Sequence, residues 1–546
     1  MKYYKLFIAL VIIAFNLFHH ATAQTEVEAW GNLKGIRIDG QLMNFESSID
    51  VINTDNSNII STGKEKQRPK YLRDGNKQII NTNIDSFYFV EQIEDISKGV
   101  SKINIQFTSK KDTTISGLYF DLKLPYVIGY ASGSLQLINP KQNTLSTYDI
   151  AKQKDSFSVT STGIKITVPQ QQFEFDFDST TTLLIKKNND DQYIHVLIPI
   201  KKGSFKNGET GERSFTIKAT GTIDKTPVTV TINPSKRGRV FAGFGGNFRL
   251  QNPKLDPQVI NYCLDNMRVA YARVEMPWML WQPVENSNPI DSAKAGKLHP
   301  HVKESMEMAQ RLSKMNIPII LTAWFPPKWA VTGELHFRHQ QGEAWGNPLD
   351  STKAQEIYKS IADYIQYLKD AYGVDVKLFS FNESDLGINI RQTGEEHATL
   401  IKGLGAYFAS HGLQTKMLLG DNSDATTFDF ILPALKDAST HQYIGAISFH
   451  SWRGWDTEIL QKWADAATQM HLPLIVGEGS IDAAAWNYPQ IFQEQTYALE
   501  EINLYVRLLN ICQPLSILQW QLTADYSPLK GGGIFGDNDS LQPTQR

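Results

Sequence analysis

The sequence predicts a multidomain chain, an N-terminal all-β, sandwich-like domain followed by an α/β (β/α)8 barrel. Three observations carry this. At 546 residues the chain exceeds what one hydrophobic core organises. Its texture changes near Asn233-Pro234-Ser235 from short alternating runs to apolar runs separated by amphipathic stretches. After that point there are eight apolar runs, and eight strand-helix alternations without a nucleotide motif fit a closed parallel barrel better than a doubly wound open sheet.

Taken in order, residues 1–23 read as a secretory signal. Lys2 and Lys5 precede an apolar run from Leu6 to Phe18, and Ala21-Thr22-Ala23 offers small residues to a signal peptidase. The rival, an uncleaved anchor, meets a run that is short for a membrane span. The expectation is export to the periplasm or the exterior, with no membrane span in the mature chain.

Residues 24–234 form the expected all-β domain. Strands are predicted at 101–109, 117–125, 163–169, 193–200 and 214–223, where apolar and polar residues alternate with period two. The polar stretch Lys64 to Lys77 reads as a solvated loop. Nothing in this region assembles into chemistry, and a carbohydrate-binding role stands beside a purely structural one.

Residues 235–546 form the expected barrel. Its strands are predicted at 240–246, 269–276, 317–324, 376–383, 415–421, 443–450, 473–478 and 515–522, with helices at 302–315, 353–372, 395–410, 457–470 and 489–510. The eighth strand is followed by a Gly-rich run without room for an eighth helix, so the barrel is expected to lack its last helix.

With 54 basic against 57 acidic side chains and a net charge of -3, the sequence offers no basic run to attract nucleic acid. Cys263 and Cys512 are too few for a disulfide framework and read as two buried thiols.

Chemistry in a (β/α)8 barrel belongs to the carboxyl ends of its strands. Those ends supply Gly245 to Asn247, Arg273 to Glu275, Trp324, Asn382 with Glu383, Asp421, His450 with Trp452, Glu478 and Trp520. Carboxylates and amides that bind hydroxyls, next to indoles that stack on pyranose C–H faces, suit a sugar. A carboxylate ending a buried strand is costly unless paired or used. Glu383 and Glu478, closing the fourth and seventh strands, therefore read as a catalytic pair. Glu383 would protonate the leaving oxygen and Glu478 would attack the anomeric carbon. Arg273 is expected to keep Glu478 ionised and in place. His450 reads equally as a hydroxyl ligand or a core histidine.

Competing motifs are weaker. Gly243, Gly245 and Gly246 make a tight turn rather than a dinucleotide loop, because Phe248 stands where the third glycine belongs. Glu334, His336 and His339 could suggest a metal, but on a loop they read as subsite or surface residues. No G-x-S-x-G elbow supports serine hydrolysis. Neither metal nor cofactor is expected. Trp278, Trp281, Trp329, Trp345, Trp455 and Trp486 divide between packing and sugar platforms.

The series GFGGNF, TAWFPPKW (322–329), FNESD (381–385), LLGDNSD (418–424), SFHSW (448–452) and VGEGS (476–480) resembles clan A glycoside hydrolases, most closely glycoside hydrolase family 30. The resemblance covers residues 237 to 535, with the motifs in family order. It implies Glu383 as acid/base and Glu478 as nucleophile. It implies Asn382 as a ligand of the sugar 2-hydroxyl, Trp324 and Trp520 as walls of the cleaved subsite, and retention at a β-linked glycoside. Two departures stand out: His450 and Trp452 occupy the sixth-strand region where clan A members often carry an aromatic hydroxyl, and the closing helix and trailing strands are missing. The expected partner is a polysaccharide or oligosaccharide. The alternatives are a non-catalytic envelope protein that binds carbohydrate and a transglycosylase.

Overall fold

A computed structural model of the chain describes residues 24–546 apart from 56–57, 128, 139–145, 151, 153–155, 236, 339–343, 535, 537–541 and 545. The expected signal segment, 1–23, lies outside the described residues, as does His339. The chain divides into two compact units, Met1–Thr231 and Ile232–Arg546.

The first unit is all-β. A 13-stranded antiparallel sheet is accompanied by a 3-stranded sheet formed by Gln24–Val27, Leu33–Ile38 and Gln41–Asn44. Alternation drives this architecture: in Val100–Ser109 every second side chain is buried, as expected when one face meets the core. The core is rich in phenylalanine, with edge-to-face pairs Phe45–Phe173, Phe87–Phe205 and Phe120–Phe215 at centroid separations of 5.1, 4.9 and 4.9 Å. The stretch Lys64 to Lys77 is not all loop. Lys70–Asp74 is a strand that pairs antiparallel with Lys77–Ile84, with Gly75 at φ +58° making the turn.

The second unit is a closed parallel barrel of eight strands: Gly243–Phe248, Ala272–Met276, Ile319–Ala323, Val376–Phe381, Lys416–Asn422, Ile444–Phe449, Leu474–Gly479 and Ser516–Gln519. The first strand pairs with the eighth from Gly243↔Ser516 to Gly246↔Gln519, which closes the ring. The second, third and seventh strands are buried at every position, because a parallel barrel has packed side chains inside and helices outside. A layer of Ile320, Leu378, Leu418, Ala446, Ile475 and Leu518 fills the interior.

The helices start and stop where local chemistry dictates. Pro300–Lys314 has proline in its first turn, and Thr393 with Glu396 forms a capping box on Gly394–Ser410. Ala354–Tyr372 ends on Gly373 at φ +69°. Cys263 and Cys512 are free and buried, and burial pushes both thiols up to about 12. Among the described residues no helix follows the eighth strand. Instead Trp520–Leu529 is buried throughout, with the Leu522 N–H bonded to the Asn247 carbonyl and the Ala524 N–H to Asp256. No described helix is long and apolar enough to cross a membrane.

Candidate active site

The strand ends converge on one buried guanidinium. Arg273, 1% exposed, sits on the second strand, and its Nη1 donates to Asn247 Oδ1 at 2.9 Å and to Glu478 Oε1 at 2.7 Å. Its Nη2 donates to Asn382 Oδ1 at 2.6 Å and to Asp421 Oδ2 at 2.8 Å. Five of the eight strands are thus tied to one cation, and its flat face lies 4.5 Å from the Trp324 ring centroid. Asn247 is fixed in turn, its amide donating to the carbonyls of Gly477, Leu518 and Gln519.

The second cationic centre is His450. Its Nδ1 lies 2.9 Å from Glu383 Oε1 and 3.3 Å from Glu478 Oε2, and its Nε2 lies 3.1 Å from Asp421 Oδ1. Glu383, His450 and Glu478 each offer one polar atom within 4.8 Å of the others, so the two glutamates meet at one point of the mouth. Burial alone would drive the proton off His450, but the Glu478, Asp421 and Glu383 carboxylates reverse this and raise its pKa to about 10. A cation bound to these three side chains would have to displace that proton, so the donor set fits acid–base chemistry better than metal ligation.

The two buried carboxyls differ. Burial raises Glu478 to about 7, against the lowering pull of His450 and Arg273. The sequence-based expectation that Arg273 keeps Glu478 ionised thus meets a stronger opposing effect, desolvation. Asp421 is also buried, yet Arg273 and His450 hold it well below the usual carboxylate range. Trp452 Nε1 donates to Glu478 Oε2 at 3.3 Å. Asn382 Nδ2 lies 3.4 Å from Glu383 Oε2. The Trp324 and Trp520 rings are 6.4 Å apart and inclined at 39°. All eight candidate residues therefore gather at the carboxyl end of the barrel.

Asp421 and Asn247 stood among the strand ends, but sequence gave neither a role. Their partners lie far away in the chain, and periodicity does not report such pairings. The tryptophans divide as follows. Trp278, Trp281 and Trp329 are buried and donate to Ser360 Oγ, the Ser360 carbonyl and the Gln282 carbonyl, so they are packing residues. Trp345 and Trp486 are exposed. His336 is partly buried, its backbone N–H bonded to Asn347.

No family model matches the sequence, and no curated protein matches it. Solved structures do. A glycoside hydrolase family 30 endoxylanase from Clostridium papyrosolvens is similar at 15% identity and TM-score 0.42, over 52% of this chain and 66% of that one. A family 30 subfamily 8 xylanase from Clostridium acetobutylicum is similar at 15% identity and TM-score 0.43, over 55% and 69%. An endo-β1,6-glucanase is similar at 18% identity and TM-score 0.38, over 55% and 71%. The chain thus spans about two thirds of the length of the first of these.

Proposed function

We propose that this chain is an exported retaining β-glycosidase or endo-β-glycanase that hydrolyses O-glycosidic bonds of a β-linked glycan by double displacement. The observation that carries the reading is the meeting of Glu383 and Glu478 oxygens within 4.8 Å around His450. Retaining enzymes hold their carboxyls about 5–5.5 Å apart, whereas inverting ones need roughly 6.5–9.5 Å to admit a water. In this reading Glu383 gives its proton to the leaving oxygen while Glu478 attacks the anomeric carbon. Water, deprotonated by Glu383, then releases the glycosyl ester. Trp324 and Trp520 present ring faces to the sugar, and Asn382 binds its 2-hydroxyl.

The test uses two variants on aryl β-glycosides. Glu478→Ala should lower turnover by roughly 10⁴-fold or more, since removing a nucleophile costs the whole covalent route. Glu383→Ala should lose roughly 10²–10⁴-fold on substrates with poor leaving groups, keep activity on activated ones, and recover with azide as a β-glycosyl azide. Unchanged turnover in either variant refutes the assignment.

A further inference from the structure

Beyond the two glutamates, the geometry points to Asp421 as the positioning residue of the reaction: it fixes His450 as an imidazolium whose Nδ1–H follows the negative charge from Glu478 to Glu383 and back. This rests on the double-displacement reading above and adds a third carboxylate that never touches the sugar.

Asp421 is fully buried at the end of the fifth strand, with φ +59°. Each of its oxygens serves a different cation. Oδ2 accepts from Arg273 Nη2 and Ser380 Oγ, both at 2.8 Å. Oδ1 faces His450 Nε2 at 3.1 Å and Ser448 Oγ at 3.5 Å. Its backbone carbonyl accepts the N–H of Glu383 at 3.1 Å. The chain makes room for this carboxylate: a Cβ on Gly477, the residue before Glu478, would stand 2.5 Å from Asp421 Oδ1.

The charge balance gives this arrangement its use. The charged and titratable groups facing His450 and Asp421 are Arg273 from the second strand, Glu383 from the fourth-strand end, His397 from Gly394–Ser410, and Glu478 from the seventh strand, with Asp385 next to Glu383. Burial lowers His397 to about 4, so it is neutral, and its Nε2 accepts the Gly420 N–H at 3.1 Å. The Asp385 carboxylate takes its hydrogen bonds from Ser423 and Thr427. What remains around the imidazole is two cations, Arg273 and His450, against Asp421 and the glutamate pair.

With the catalytic proton on Glu383, Asp421 and Glu478 are the two anions, and the set is neutral. In glycosylation the bond from the anomeric carbon to the leaving oxygen breaks, the bond to Glu478 forms, and the Glu383 proton goes to the leaving group. Glu478 is then a neutral ester and Glu383 an anion, and the set is neutral again. The hydrolytic step reverses this. Water gives its proton to Glu383, the ester breaks, and the charge returns to Glu478. The Nδ1 atom, 2.9 Å from one carboxyl and 3.3 Å from the other, changes partner without releasing its proton. A neutral histidine has no fixed proton to offer both carboxylates while also donating to Asp421.

The test is to label the protein with ¹³C-histidine and follow the His450 ring signal, identified by its loss in His450→Gln, across pH in wild type and Asp421→Asn. The signal should stay that of an imidazolium through neutral pH in wild type and titrate about 1–3 units lower in the variant. The alkaline limb of kcat on an aryl β-glycoside should move down by the same amount, which a merely structural role would not produce. Equal titration in the two proteins, or a shifted signal with an unmoved alkaline limb, overturns the proposal. Should Asp421→Asn not fold, Asp421→Ser replaces it in the same comparison, and a wild-type His450 already neutral at pH 7 overturns the proposal in either case. If wild type cleaves no β-glycoside, the double-displacement reading fails, while the ring signal still reports whether Asp421 holds the proton.

Discussion

Glu478 carries two opposing demands. A nucleophile must be ionised, yet its side chain is almost wholly buried, and burial sets its pKa at about 7 in the free protein. A carboxyl with a raised pKa is protonated below that value, so kcat/KM should fall as pH drops through about 7. A pH profile on an aryl β-glycoside checks this, with the limb expected well above the ordinary glutamate range. A limb near pH 4.5 would mean that Arg273 and His450 outweigh burial. The two glutamates were legible as candidates because each stands at the end of an apolar run, although Glu383 lies two residues beyond the fourth strand and Glu478 one residue before the end of the seventh. Their ionisation was not, since it depends on how many of the surrounding groups are charged.

At the scale of the element, the seventh strand shows what backbone patterning conceals. Residues 473 to 478 read as a buried strand, and Leu474–Gly479 is one. The presence of Gly477 within it has a local cause, because a side chain there would meet Asp421 Oδ1 at 2.5 Å and Ser448 Oγ at 2.8 Å. Gly477→Ala should therefore destabilise the barrel by about 1–3 kcal/mol and weaken turnover more than this loss of stability explains, measurable by denaturant titration alongside kcat. The eight strands were legible from apolar runs, although the first runs Gly243–Phe248 rather than 240–246. The strand within Lys64 to Lys77 was not, since Lys70–Asp74 is mostly polar and owes its form to pairing with Lys77–Ile84.

For the molecule as a whole, the two units answer to different chemistry. In the β unit, Glu91 is 1% exposed and neither carboxylate oxygen has a hydrogen-bond partner among the described residues. Burial holds its pKa well above the usual value. A carboxyl whose folded pKa is raised favours folding at low pH, and that advantage is lost as pH rises above its unfolded value, near 4.3. Calorimetry should accordingly find the β unit less stable at pH 8 than at pH 5, and Glu91→Gln should flatten that slope. Domain order was legible from the change of texture. The buried glutamate was not, because it alternates along its strand like any residue of the core face.

The pairing of Gly243–Gly246 with Ser516–Gln519 has a consequence for synthesis. The first stave of the barrel emerges from the ribosome well over two hundred residues before its final neighbour. Until that neighbour arrives, its free backbone edge is open to any passing strand. So distant a closure makes for slow, late ring formation, and a nascent chain halted before residue 516 would be an unsealed cylinder prone to joining others of its kind.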